Sequence, residues 1–168
     1  MPSTVLDHIR DWLTRENVPV REVHHEPTQT SEESAKARGE ELRVGGKALL
    51  MRGDADFALF VLSADRKVDS GAIRRELGLG KLRFATREEL AELTGLVPGS
   101  VPPFGPPILP FPLYVDSAIP SNDRLAFNAG SLTDSMIVPI ADYLRVAQPT
   151  KIFAFSVAPS NSGVGSNC

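Results

Sequence analysis

The chain of 168 residues is 42% hydrophobic and 23% charged, the profile of a single soluble domain long enough to withdraw about 70% of its unfolded surface from water. A net charge of −3 excludes a general nucleic-acid coat, because sequence-independent phosphate binding requires a basic excess, although a local basic patch stays open. The single cysteine is the final residue, Cys168, which excludes an intrachain disulfide framework or thiolate metal site; without a leader pattern or an eighteen-residue apolar run, a reducing, cytoplasmic setting with no membrane contact is expected.

In chain order, Val5, Leu6, Ile9, Trp12 and Leu13 recur at helical spacing behind a Thr4 cap, with Asp7 in the first turn and Pro19 as the stop. PVREVHHE then alternates as a strand does, with Val18, Val20 and Val23 as expected buried points. TSEESAKARG predicts a second helix, capped by Thr30 or Ser31, acidic in its first turn and closed by Gly39. KALLMR and FALFVLSAD, joined through Gly53 and Asp54, predict an antiparallel hairpin. Short helices over DSGAIRRELG and TREELAELTG follow, the second with Thr86 and Glu89 in capping-box spacing, and KLRFA supplies a short strand between them.

GLVPGSVPPFGPPILPFPL, with seven prolines and three glycines, has no period and is read as a long loop packed through Val101, Phe104 and Ile108. LYVDSAI, LAFNAGS and SMIVP predict three more strands and IADYLRVA a closing helix. The expected architecture is one α/β domain over residues 1–155, a mixed, mostly antiparallel sheet flanked by helices, with 156–168 as a disordered polar tail.

Familiar site patterns fail. His8 lies on the first helix, while His24 and His25 are adjacent on a strand and point to opposite faces, so no histidine pair has metal-ligand spacing and no metal or other cofactor is expected. A phosphate-binding P-loop ending at Gly46 and Lys47 would need glycine at 41 and a hydroxyl residue at 48, where Glu41 and Ala48 stand. No serine has glycines two residues away on both sides, as a nucleophile elbow requires. Lys47 itself stands at the end of an alternating row with Leu49 and Met51. A lysine there ordinarily bends its ammonium into water, but if the row faces the core the ammonium lies at the core's rim, where a pocket can open.

Four segments taken together point further: HEPTQTSEES (25–34), GGKALLM (45–51), GSVPPFG (99–105) and FNAGSLTDSM (127–136). Their order resembles the YbaK family, also called the prolyl-tRNA synthetase-associated editing domain, over residues 18–145. Members hydrolyse amino acids wrongly attached to tRNA, inside prolyl-tRNA synthetase or as free-standing trans-editing proteins. The resemblance implies catalytic roles for Lys47, the family's functional lysine, and for Gly99, which heads a Gly-x-x-x-Pro loop beside the aminoacyl group. It implies substrate-binding roles for Ser100, Val101, Pro102, Pro103, Phe104 and Gly105 along that loop, for Asn128, Gly130, Ser131 and Ser135 on the opposite wall, and for Thr30 and Ser31 at a helix start. Many relatives carry Ser or Thr where this chain has Pro102, which bears on the amino acid preferred.

The chemistry is consistent with that implication. An aminoacyl ester is already activated, so attack by water chiefly needs orientation and a place for negative charge to develop. Main-chain N–H groups around Gly99 can approach the ester carbonyl because glycine has no side chain in the way; one such donor contributes about 3 to 4 kcal/mol in the transition state. Lys47 is suited to holding the terminal phosphate or ribose, and the resemblance implies that the substrate's own ribose hydroxyl, with bound water, carries the proton. The expectation is a free-standing deacylase of mischarged tRNA, on tRNA(Pro) or a similar tRNA, with alanine the first substrate and serine, cysteine and threonine after it. The acceptor end of aminoacyl-tRNA is the expected partner, an aminoacyl-tRNA synthetase a second. The competing expectation is a module that binds tRNA ends or a synthetase without turnover. Arg74, Arg75, Lys81, Arg83 and Arg87 form a basic stretch available either to solvent or to acceptor-stem phosphates.

Overall fold

The computed structural model describes residues 4–28 and 30–159. Helix α1 (Val5–Arg15) starts where Thr4 and Asp7 form a reciprocal capping box and buries Ile9, Trp12 and Leu13. Strand β1 (Arg21–His24) is half as long as its apolar pattern suggests: Val18 is buried, but Val20 lies outside the strand and is 38% exposed. Helix α2 (Ser31–Arg38) is capped by the Thr30 hydroxyl on the Glu33 amide and closes on Gly39 in the left-handed conformation.

The hairpin forms as expected, β2 (Gly46–Arg52) pairing antiparallel with β3 (Phe57–Ser63) so that Lys47 lies opposite Leu62. A short β4 (Lys67–Val68) leads to α3 (Ser70–Leu77), then to β5 (Arg83–Phe84) and α4 (Arg87–Thr94) with its Thr86 and Glu89 capping box. Residues 95–112 contain no helix or strand, and within them Val101 and Phe104 are buried. The chain continues through β6 (Leu113–Asp116), β7 (Arg124–Asn128), β8 (Asp134–Pro139), α5 (Ile140–Ala147), β9 (Lys151–Phe153) and β10 (Ser156–Val157).

The strands divide among three sheets. Five-stranded β5-β2-β3-β6-β9 is antiparallel at its β5-β2-β3 end and parallel from β3 to β9, three-stranded β1-β8-β7 is antiparallel, and β10 pairs antiparallel with β4. A bridge between Gly45 and Ala126 links the two larger sheets. This is the expected α/β architecture, with the single sheet resolved into three. The pairing of Ser156 and Val157 with β4 corrects the start of the tail: Asp116 receives the Phe155 amide and the Ser156 hydroxyl, both at 2.7 Å, and holds that segment in place. Residues 160–168 of the expected tail lie outside the described residues.

Both faces of the five-stranded sheet are covered, which is why its central strands read as continuous apolar runs. Leu50, Leu59, Val61 and Val115 face the main core with Leu125, Phe127, Met136 and Val138 of the three-stranded sheet and the apolar sides of α1 and α5. Met51, Phe60 and Leu62 face a second cluster with Ile73 of α3, Phe153 and Phe155. The start of β2, the end of β7 and helix α2 meet where the two sheets join, and that junction holds the site.

Candidate active site

Helix α2 turns an unusual face inward. Ser31, Ser34, Ala35 and Arg38, spaced i, i+3, i+4 and i+7, are all buried. They form one wall of a cavity of about 40 Å³; Gly45, Gly46, Lys47 and Ala48 at the start of β2 form another, and Leu42, Ala64, Gly99, Val101 and Asn128 complete it. Lys47 is half-buried on this rim. A wider recess of about 390 Å³ lies alongside, lined by Thr28, Thr30, Arg87, Val97, Pro98 and Leu132, and shares Ser34, Gly99 and Asn128 with the small cavity. Arg87 is exposed there.

A chain of hydrogen bonds ties the walls together. Arg38, 7% exposed, donates through Nε to Ser135 Oγ at 2.9 Å and through Nη2 to Asn128 Oδ1 at 3.0 Å. Asn128 Nδ2 donates to the Gly99 carbonyl at 2.6 Å. Behind this chain, His25 Nε2 lies 2.8 Å from Ser135 Oγ and its Nδ1 lies 2.8 Å from the Glu26 carbonyl. On the outer side His24 contacts Asp134 at 2.8 Å. Burial pushes the Asp134 carboxyl up, but hydrogen bonds with His24, Ser131 and Thr133 outweigh it and hold the group down at about 2.

The residues expected at the site separate into three groups. Lys47, Gly99, Ser31, Val101 and Asn128 line the small cavity, and Thr30 lines the recess with Gly99 and Asn128. Ser135 is fully buried just behind Asn128 and reaches the cavity only through its hydrogen bonds. The others line neither cavity. Ser100 turns its hydroxyl back onto Val97, donating to the carbonyl at 2.8 Å and accepting from the amide at 3.2 Å. Pro102 and Pro103 are buried, and the Pro103 carbonyl accepts the Tyr143 hydroxyl at 2.7 Å. Phe104, fully buried, packs against Trp12, Phe127 and Tyr143, so it anchors the loop in the core. Gly105 lets the loop pass against the Phe111 carbonyl, and Gly130 packs on Val5 of α1. Ser131 supports Asp134 in the turn between β7 and β8.

Arg38 and His25 did not emerge from the sequence as site residues. His25 has its bonding partner on β8, far away in the chain. The buried face of α2 is serine, alanine and arginine, which hydrophobic periodicity does not register; the i, i+3, i+4, i+7 spacing of small residues and one arginine was the only local trace. Among the described residues, no group of three or more His, Cys, Asp or Glu side chains is placed to hold a metal ion, and no helix is long and apolar enough to cross a membrane.

Comparison with known proteins bears on this arrangement. A family model described as the aminoacyl-tRNA editing domain matches residues 25–146. The chain is similar to the Multifunctional Ser/Thr-tRNA deacylase ProXp-y of Escherichia coli (strain K12), 35% identical over 145 residues that cover 82% of this chain and 84% of that protein. It is 34% identical over 101 residues to the proline--tRNA ligase of Shouchella clausii (strain KSM-K16), covering 60% of this chain and 18% of that one. Among solved structures, a proposed trans-editing enzyme for prolyl tRNA synthetase superposes with a TM-score of 0.79 at 26% identity, covering 94% of this chain and 100% of its own. Family match, curated relative and shared fold agree: the chain belongs to the aminoacyl-tRNA editing domain family.

Proposed function

We propose that this chain is an aminoacyl-tRNA deacylase acting in trans, hydrolysing the ester of a small, hydroxyl-bearing amino acid on mischarged tRNA, serine or threonine ahead of alanine. The observation that carries the reading is the convergence of Lys47 and Gly99 on one small cavity that shares Gly99 and Asn128 with a wider recess. In this reading the amino-acid side chain enters the small cavity, the terminal nucleoside takes the recess, and the ester falls on the shared rim. Lys47 holds the ribose or its phosphate, and Arg87 at the recess meets the adjoining backbone. Main-chain groups at Gly99 face the carbonyl as charge develops on its oxygen.

The choice of amino acid rests on size and polarity. A water needs about 10 to 15 Å³ of such space, so a cavity of about 40 Å³ suits a side chain of two or three heavy atoms. Its wall sets Ser31, Ser34 and Asn128 beside Ala35, Leu42, Ala48, Ala64 and Val101, so a side chain that joins a hydroxyl to a small apolar body meets partners for both. A site built to hydrogen-bond a substrate hydroxyl discriminates far more strongly than one that measures a single methylene, worth about 1 to 3 kcal/mol. The Escherichia coli relative, named a Ser/Thr-tRNA deacylase, supports the same order.

The test is a deacylation panel of Ser-, Thr-, Ala- and Cys-charged tRNA, including tRNA(Pro), with wild type and Lys47→Ala side by side. Wild type is expected to hydrolyse the seryl or threonyl ester fastest and Lys47→Ala to be at least tenfold slower, a loss of about 1.4 kcal/mol in transition-state stabilisation. A panel left intact by fresh wild-type protein overturns the reading. Saturable tRNA binding without turnover would then identify a tRNA-end-binding module, and alanyl ester cleaved fastest would overturn the order of substrates alone.

A further inference from the structure

The Asn128 carboxamide sits between two groups that each tolerate only one of its ends. The Arg38 guanidinium has donors and no acceptor, and the Gly99 carbonyl is an acceptor and no donor. With Oδ1 toward Arg38 at 3.0 Å and Nδ2 toward Gly99 at 2.6 Å, both contacts are satisfied. Rotating the amide by half a turn would set NH₂ against the guanidinium and oxygen against the carbonyl, so Arg38 dictates the orientation in which Asn128 meets the loop. Ser135 belongs to the same network: its hydroxyl accepts from Arg38 Nε at 2.9 Å and lies 3.2 Å from Asn128 Oδ1 and 2.8 Å from His25 Nε2.

The loop needs such a hold. Gly99 has φ of +88°, and glycine allows its peptide planes to rotate at little cost. On its far side the turn is closed by the Ser100 amide and hydroxyl on Val97; toward the sheet, Asn128 grips the Gly99 carbonyl. A peptide dipole that swings beside a reacting ester changes sign at the oxygen where charge develops, and preorganisation of such dipoles is what stabilises the transition state.

We propose that Arg38 is a positioning residue of this site: through the Asn128 carboxamide, it fixes the peptide at Gly99 in the orientation that hydrolysis uses. The proposal rests on the reading of Gly99 as the residue whose main chain faces the ester, and it adds a residue on α2 that acts without touching the reacting atoms.

Asn128→Asp separates positioning from packing, because a carboxylate keeps, and strengthens, its bond from Arg38 while turning an oxygen toward the Gly99 carbonyl. Arg38→Lys complements it, since one ammonium cannot reproduce the fork that reaches Ser135 and Asn128 together. Both are assayed by thermal unfolding, by kcat and KM on the best wild-type substrate, and by amide hydrogen exchange in the Val97–Val101 segment. The expected result is at least tenfold lower kcat and at least tenfold faster local exchange in whichever variant keeps the wild-type circular dichroism spectrum. Wild-type exchange and kcat in a folded variant overturn the proposal, and so does loss of folding in both, which would make the pair a support of the fold alone. Hydrogen exchange needs no substrate, so if wild type proves inactive the functional reading falls while the hold of Arg38 on the loop is still decided.

Discussion

Gly99 shows how much one backbone angle can carry. An added Cβ would meet only Leu132 Cδ2 at 3.5 Å, an ordinary contact, so space does not forbid a side chain there; the φ of +88° does. The left-handed region costs an L-residue about 1 to 2 kcal/mol. Gly99→Ala is therefore expected to lower stability by about that amount in urea unfolding and to slow deacylation by at least tenfold as the loop shifts to relieve the angle. Unchanged turnover would separate this peptide from the chemistry. Lys47 and Gly99 were singled out through a resemblance carried by four ordered segments, and the structure brings both to one cavity. Arg38 was not singled out, because its meaning lies in Asn128 and Ser135, which chain order places some ninety residues away.

Among the elements, the proline-rich loop is the most instructive. Its lack of period identified it as a loop, and the apolar residues within it pointed to packing, yet the resemblance assigned every residue of 100–105 to substrate binding. The structure divides the work: Gly99 and Val101 line the cavity, while Pro103 and Phe104 belong to the core. The division follows from burial, since a fully buried phenylalanine packed edge-on against Trp12 and Phe127 has no surface left for a ligand. Tyr143→Phe tests the anchor. It strips the buried Pro103 carbonyl of its donor, and leaving such a group unsatisfied costs about 1 to 3 kcal/mol; a lower thermal midpoint with KM within twofold of wild type is expected. The β1 strand teaches the converse. Val20 fits the alternating pattern but lies before the paired segment and is 38% exposed, although β8 runs on past Ile137 to Pro139; the chain leaves its partner before the partner ends, which alternation alone does not register.

At the scale of the whole molecule, Glu40 draws the C-terminal end of α2 to the three-stranded sheet. Its carboxylate, 6% exposed, receives Arg124 at 2.8 Å and Arg21 at 2.9 Å, while Arg21 also reaches the Arg38 carbonyl at 3.3 Å. The hydrogen bonds from Arg124, opposed by burial and joined by those from Arg21, hold the carboxyl below its ordinary value of 4.5. A depressed carboxylate contributes stability that is fully present above the ordinary value and is lost as pH falls through the depressed one. The wild-type thermal midpoint is therefore expected to drop as pH is lowered from 4.5, and Glu40→Gln to lie lower at neutral pH and to show a flatter acid limb; parallel curves would remove Glu40 from the acid response. By itself the sequence determined the α/β class, nearly every helix with its caps, the hairpin and the loop, because each depends on neighbours within a few positions or on a contiguous motif. Only tertiary structure decided that the strands form three sheets, which residues of the loop face the cavity, and that Arg38, Asn128 and Ser135 are joined by hydrogen bonds. Those outcomes depend on which distant surfaces exclude water from one another and on which buried donors find acceptors, quantities that no local pattern contains.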